Sequence, residues 1–342
     1  MSKVISQYTI NTFEKIGLEP LRNKTILITG SSGLIGINIL SLLQNLRKQL
    51  NIKIYCWSLS PISSYFNEIF DGCMIINSDL SDNHTKIPND LIGAFDFIFH
   101  CAGYGQPQKF IENKISTINI NTQSIILLFS LLKSNGSFLY CSSSEIYSGL
   151  DIEKISEKDI GTTSPDHPRA CYIESKRCGE AICNIFADSN PEQNIKIARI
   201  STVYGPGAKL NDTRVLNSLI QKALNNKRIE MLDSGSSTRT FCYTDDAIEM
   251  LLTILLHGKQ RTYNITGIDI LTIKEVASII AKTTSSELII PTSNNGLIGN
   301  PKTVIPTIDR YISEFGNKSF MSFESGIENT ISWFKDLLSS NN

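Results

Sequence analysis

The chain has 342 residues, 41% of them hydrophobic and 19% charged, which is apolar enough for a sizeable core and excludes a disordered chain. Its 32 Lys and Arg nearly cancel 33 Asp and Glu, leaving −1, without the basic excess of a dedicated nucleic-acid binder. At roughly 150 residues per domain, the length implies about two domains, or one large α/β core with an appended lobe.

Residues 1–22 are mixed and moderately charged and read as a helical lead-in. They carry neither an apolar h-region nor an Arg-rich amphipathic pattern, so no signal or transit peptide is expected. Short β-branched runs then alternate with longer helical patterns. Six strands are predicted at Lys24–Thr29, Ile52–Trp57, Cys73–Asn77, Phe95–His100, Ser137–Ser142 and Ile195–Thr202. Helices are predicted between them at Leu34–Gln49, Ile111–Lys133 and Ala170–Asp188. Strands separated by helices point to a parallel sheet covered on both faces. The longest apolar stretch, Ile118–Leu132, contains Asn119, Asn121, Thr122, Gln123 and Ser124. A membrane helix needs about 20 mostly apolar residues, so this is a buried helix. Eight cysteines form no C-x-x-C pair and mostly sit in apolar runs, reading as reduced core residues. Together these features predict a soluble cytoplasmic protein with no membrane partner.

Beyond residue 203 the pattern changes. Pro206, Gly207 and Gly235 punctuate the chain, with helices predicted at Asp212–Asn225, Asp245–Leu256, Thr272–Thr283 and Glu324–Leu338. Pro291–Pro306, rich in Asn, Gly and Pro, reads as a surface loop.

Directly after the first strand comes Gly30-Ser-Ser-Gly33-Leu-Ile-Gly36, opening a helix. Gly30 permits the tight turn, Gly33 lets backbone approach a pyrophosphate, and Gly36 lets the helix pack close to the sheet. The helix N-terminus offers free N–H groups and a positive dipole end to the anion. The position after the first strand predicts dinucleotide binding on a Rossmann-type doubly wound sheet. That domain is expected at 23–202 plus about 240–270, with a substrate lobe at 203–239 and 271–342 and the substrate between the two. At the end of the second strand, where an Asp or Glu usually meets the ribose, the chain has Cys56-Trp57-Ser58-Leu59-Ser60. There is no acid and no Arg for a 2′-phosphate; Ser58 could bond a ribose hydroxyl, and NAD is preferred over NADP. Asp79-Leu80 is placed for the adenine edge, though Asp79 reads equally well as a turn aspartate.

Tyr172-Ile-Glu-Ser-Lys176 puts a phenol and an ammonium on one helical face. A free tyrosine titrates near pH 10, too high for a base at neutral pH. A neighbouring ammonium and a positive nicotinamide ring both favour the phenolate, so Tyr172 could take a proton from a sugar hydroxyl as hydride leaves. Ser142-Ser143-Ser144 closes the fifth strand, at the carboxyl edge where such sheets bind ligands. Alone, each pattern has an ordinary structural explanation, a solvated helix face or a turn cap; their combination in this order is specific.

With those residues in place, the chain from about Lys24 onward resembles the extended short-chain dehydrogenase/reductases, the NAD-dependent epimerase/dehydratase family acting on nucleotide sugars. Locally it is similar to UDP-glucuronate decarboxylases. Pro168-Arg-Ala-Cys-Tyr172-Ile-Glu-Ser-Lys176-Arg177 resembles their tyrosine helix, and Ser143-Ser144-Glu145-Ile-Tyr147 their Thr-Ser-Glu-Val-Tyr. Leu210-Asn-Asp212-Thr-Arg214-Val and Ser234-Gly-Ser-Ser-Thr-Arg239-Thr-Phe241 resemble two of their substrate segments. The resemblance implies that Ser143 bonds the sugar O4, that Tyr172 and Lys176 oxidise C4, and that Glu145 acts near C5. It also implies that Arg214 and Arg239 hold the nucleotide diphosphate, where guanidinium forks suit phosphate. Cofactor contacts are implied for Leu34, Ile35, Leu80, Cys101, Ala102, Gly103 and Asn121, and a homodimer through the Tyr172 helix and the Ile111–Lys133 helix.

The departures are specific. Where dehydratases carry Asp-Glu, this chain has Ser144-Glu145. A substrate-binding Asn becomes Thr202, and the counterpart of the decarboxylases' Arg-x-Pro-Asp is Val304-Ile-Pro306-Thr307, without Arg. Hence the 4-keto sugar could lose CO₂, epimerise or be released. Two other classes fit these residues less well. A non-catalytic NAD-binding relative would usually have lost Tyr or Lys, and a small-alcohol dehydrogenase needs no guanidinium pair. The four histidines lack metal spacing, so no metal is expected.

Overall fold

The structure, a computed structural model, describes residues 16–59, 62, 64–291 and 303–340. Most of the N-terminal lead-in and most of the Pro291–Pro306 segment lie outside the described residues. TILIT forms β1 (Thr25–Thr29), followed by the 17-residue α1 (Leu34–Leu50). Next come β2 (Lys53–Trp57), β3 (Met74–Ile76) and β4 (Phe95–His100). The long helix expected over Ile111–Lys133 is instead three: α2 (Pro107–Glu112), α3 (Lys114–Asn121) and α4 (Gln123–Leu131). The breaks fall at Asn113 and Thr122, whose side chains bond the carbonyls of Lys109 and Ile118. Polar side chains of this kind compete with the helix ladder. Leu132 already belongs to β5 (Leu132–Ser143), which shifts register between Phe95 and Phe97 of β4.

Then follow α5 (Ala170–Ser189), β6 (Asn194–Ile200), β7 (Thr202–Tyr204), α6 (Val215–Asn226), β8 (Arg228–Glu230) and β9 (Thr238–Tyr243). The chain ends with α7 (Thr244–His257), β10 (Thr262–Ile265), β11 (Asp269–Thr272), α8 (Ile273–Thr284), β12 (Glu287–Ile289), β13 (Thr303–Val304) and α9 (Phe323–Ser340). The predicted helices after residue 203 are present within three residues of their expected ends, except that Asp212, Thr213 and Arg214 precede α6 rather than opening it.

Seven strands pair in the order β10-β6-β5-β4-β1-β2-β3, every neighbour parallel. Side chains alternate across β1: Ile26 and Ile28 join one core with α1 and α7, while Leu27 joins another with Phe138, Tyr140 and Cys183. Fully burying one such aliphatic side chain contributes about 1.5–3 kcal/mol. The lobe has its own sheet, in which β9 pairs with β11 antiparallel and with β7 and β13 parallel, beside a β8–β12 pair. These strands span only two to six residues.

A buried ion pair clamps α5 to the sheet. Arg199 of β6 bonds Glu180 of α5 at 2.8 Å, and Ser142 donates to the same carboxylate at 2.6 Å. Arg199 also donates to the Tyr147 hydroxyl and to the carbonyls of Glu157 and Asp159. Among the described residues, no helix is long and apolar enough to cross a membrane, and no cluster of His, Cys, Asp or Glu is arranged for a metal ion.

Candidate active site

Because β1 is flanked by β2 and β4, the strand order reverses between β1 and β4, opening a crevice at their carboxyl ends. Gly30 stands there with φ +65°, and a Cβ on it would lie 2.7 Å from Ala102 backbone. A Cβ on Gly36 would strike the Gly30 carbonyl, so helix and turn touch there. Gly33 differs. A Cβ on it would meet only the Gly30 oxygen, at 3.2 Å, so the protein's own packing leaves the space in front of α1 open. Gly33 is also the N-cap of α1 without any side-chain cap, and Leu34 and Ile35 form the first turn. An uncapped helix start behind an open glycine cradle fits a pyrophosphate.

Around this loop, Ser58 at the end of β2 bonds the Ser32 hydroxyl at 2.9 Å. Asp79 accepts from the Ser81 amide at 2.8 Å and hydroxyl at 2.7 Å, so it does cap a turn, with Leu80 buried beside it. Cys101, Ala102 and Gly103 continue β4 across the crevice floor, and Ala102 N–H donates to Thr29 at 3.3 Å. Cys101 and Cys141 face each other with their sulfurs 3.7 Å apart. Gly103 lies between Lys176 and Asn121: a Cβ there would be 3.8 Å from Nζ and 3.9 Å from Oδ1. Asn121 donates to Ser175 of α5 at 3.0 Å.

The sequence-predicted catalytic residues converge at the end of β5. The Ser143 hydroxyl accepts from the Glu145 amide at 3.2 Å, capping the turn Ser144–Tyr147, and favours the ionised form of the Tyr172 phenol beside it. Tyr172 stacks on Phe110 with ring centroids 4.6 Å apart. Lys176, buried, donates to the Cys141 carbonyl at 2.7 Å, with Nζ 5.8 Å from the Tyr172 ring centroid. Burial lowers Lys176 to about 8. The phenol does not follow the sequence expectation of a favoured phenolate in the protein alone. Burial raises Tyr172 to about 12, outweighing the opposing influence of the Ser143 hydroxyl, and Glu145 pushes the same way against Arg169 and Arg214.

Glu145 is held by a residue that sequence reasoning passed over. Arg169 Nη2 bonds its Oε1 at 2.6 Å, and the guanidinium lies 5.4 Å from the Phe110 ring centroid. The available signal was the Arg three positions before Tyr172, on the turn leading into α5. Arg239 on β9 is lowered by burial, with Glu145 opposing and Arg169 adding to the shift, which puts all three in one electrostatic cluster. Its register partner on β13 is Val304. Arg214, the N-cap of α6, is engaged by Asp212. Thr202 sits half-buried on β7 opposite Phe241, in the lobe sheet.

The chain is 26% identical over 317 residues to UDP-glucuronic acid decarboxylase 1 of Danio rerio, covering 91% of this chain and 72% of that protein. It is 25% identical over 324 residues to a dTDP-4-dehydro-6-deoxy-D-allose reductase of Streptomyces bikiniensis, covering 91% and 96%. Among solved structures, a mutant UDP-glucuronic acid 4-epimerase of Bacillus cereus, in complex with a fluorinated UDP-glucuronic acid analogue and NAD, superposes with TM-score 0.74. That match is 22% identical and covers 92% of this chain and 99% of the other. The model of the NAD dependent epimerase/dehydratase family matches residues 26–266, the span from β1 through β10, and the chain belongs to that family.

Proposed function

We propose that this NAD-dependent enzyme oxidises C4 of a UDP-linked sugar, and that a UDP-uronic acid then loses CO₂. The reading is carried by the convergence of Ser143, Tyr172 and Lys176 at the end of β5, with Glu145 alongside. NAD, when bound, accepts the C4 hydride and adds a positive charge that favours the phenolate. Gly30, Gly33, Leu34, Ile35 and Gly36 hold its pyrophosphate; Ser58, Asp79 and Leu80 line the adenosine half; Cys101, Ala102, Gly103 and Asn121 line the nicotinamide half. Ser143 orients the C4 hydroxyl, and Tyr172 takes its proton as the bond to hydrogen breaks. Lys176 stabilises the phenolate form of Tyr172 that accepts this proton and becomes the neutral phenol. Arg214 and Arg239 bind the diphosphate end, with Thr202 beside them. Glu145 works at C5, where the adjacent ketone stabilises a carbanion.

A second reading is 4-epimerisation, favoured by Val304 standing where decarboxylases carry Arg. Incubation with UDP-glucuronic acid separates the two. Released CO₂ and a UDP-pentose support the first reading; a UDP-uronic acid inverted at C4 supports the second. An unchanged sugar with no NADH formed overturns both. We further infer that the core spans 23–202 plus about 240–270, with the lobe at 203–239 and 271–342 and residues 1–22 an N-terminal extension, and that the protein is a homodimer.

A further inference from the structure

The end of β2 lacks the carboxylate that would bond the ribose hydroxyls and repel a 2′-phosphate. The structure brings a cation to that place from a distant part of the chain. Lys209, in the connection after β7, donates from Nζ to the Ser32 hydroxyl at 3.4 Å, and Ser32 in turn bonds Ser58 at 2.9 Å. The backbone leading into Lys209 is fastened by α1 and α9. Asn38 of α1 donates to the Pro206 carbonyl at 2.9 Å, and Trp333 of α9 donates to the Ala208 carbonyl at 2.8 Å. The ammonium is therefore held in position, with little ordering cost left for a ligand to meet.

Its charge is also poorly compensated. The carboxylate that favours the charged form of Lys209 is Asp212, and Arg214 already engages it. Lys109 on α2 adds a second positive charge nearby, and together with burial it holds Lys209 below its ordinary range. An anion beside Lys209 and the serine pair would relieve both effects, since a negative group favours the charged form of a buried ammonium and offsets a like charge near it.

We propose that Lys209, Ser32 and Ser58 form a phosphate subsite for the 2′-position of the adenosine ribose, so that the protein binds NADP as well as NAD. The cation–phosphate contact and two hydroxyl donors replace the ribose–carboxylate bonds that the chain lacks. The inference rests on the dinucleotide site and is independent of the sugar chemistry proposed above.

Calorimetric titration of nucleotide-free protein with NAD and with NADP tests it. The expected Kd for NADP lies within tenfold of that for NAD; a larger gap in favour of NAD overturns the proposal. Lys209→Gln should raise the ratio of the NADP Kd to the NAD Kd at least fivefold, and Lys209→Arg should keep it within twofold of wild type. If Lys209→Gln weakens both nucleotides alike, or neither, the lysine does not read the 2′-phosphate and the subsite is refuted. The NAD titration reports folding and site integrity for each variant.

Discussion

Tyr172 carries two opposing demands. It must be dry enough for hydride chemistry, and dryness raises its phenol to about 12 in the protein alone. Removing that hydroxyl with Tyr172→Phe should lower the rate of NADH formation about 10²–10⁴-fold, the usual worth of a positioned base. NAD binding should stay within about threefold by titration, because the ring and its stack on Phe110 remain. Glu145→Gln should divide the reaction differently. NADH should still form in single-turnover mixing, while product formation falls about tenfold or more and C5 exchange with deuterated solvent is lost. Full product with unchanged exchange would remove Glu145 from the mechanism.

Lys176 gives a pH prediction. Burial lowers it from its ordinary 10.5 to about 8, so between those values the unfolded chain binds the proton that the folded one has released. This contribution to stability therefore rises with pH from about 8 to 10.5 and is unfavourable below 8. Lys176→Met should be more stable than wild type at pH 7, with the gap closing as pH rises through that window. Urea unfolding at pH 7 and pH 10 measures it.

At the scale of elements, the glycine loop separates folding from binding. Gly36→Ala forces a methyl group against the Gly30 carbonyl and should cost about 1–3 kcal/mol by denaturant titration. Gly33→Asp meets only the Gly30 carbonyl oxygen, at 3.2 Å, and should cost less stability than Gly36→Ala. It should nonetheless weaken NAD about a hundredfold or more, since bulk and negative charge enter the pyrophosphate cradle. The α5 helix is held against β6 by the Arg199–Glu180 pair, both side chains less than 10% exposed. Arg199→Met leaves Glu180 buried without its cation and should cost about 3–5 kcal/mol.

The elements also show what local sequence conveys. The strands at Phe95–His100 and Lys53–Trp57 were legible because β-branched and aromatic residues dominate both and most of their positions are buried. The breaks at Asn113 and Thr122 were not, because isoleucines recur at short spacing on either side of both, at Ile111, Ile115, Ile118 and Ile125, and only the side-chain bonds to Lys109 and Ile118 reveal them. The lobe strands were missed for another reason. A strand such as β13, two residues long, has no room for alternation, and its pairing with Thr238 and Arg239 of β9 defines it.

At the scale of the whole molecule, Ile115, Ile126 and Ile185 stand 71%, 52% and 63% exposed on α3, α4 and α5. These helices already bury other faces against the sheet, so the exposed isoleucines face outward from a packed layer. We expect a dimer by light scattering at micromolar concentration, and Ile115→Asp with Ile185→Asp should yield a monomer that still binds NAD. A monomeric wild type would contradict this.

What the sequence determined by itself was whatever depends on near neighbours: the strand–glycine–helix turn at Gly30–Gly36, the Tyr172–Lys176 spacing on one helix, and the serines closing β5. A strand leading into a glycine turn and two residues four apart on a helix have local geometry that follows from backbone periodicity alone. The tertiary structure decided everything carried by long-range contact. It set Arg169 against Glu145, put Arg239 into the same cluster from a separate sheet, and brought Lys209 to Ser32 across 177 positions of chain. It also set the state of the phenol, because burial is a property of the packed molecule: the same Tyr172 that the sequence marks as a base is held protonated in the protein alone by the desolvation that the surrounding fold imposes.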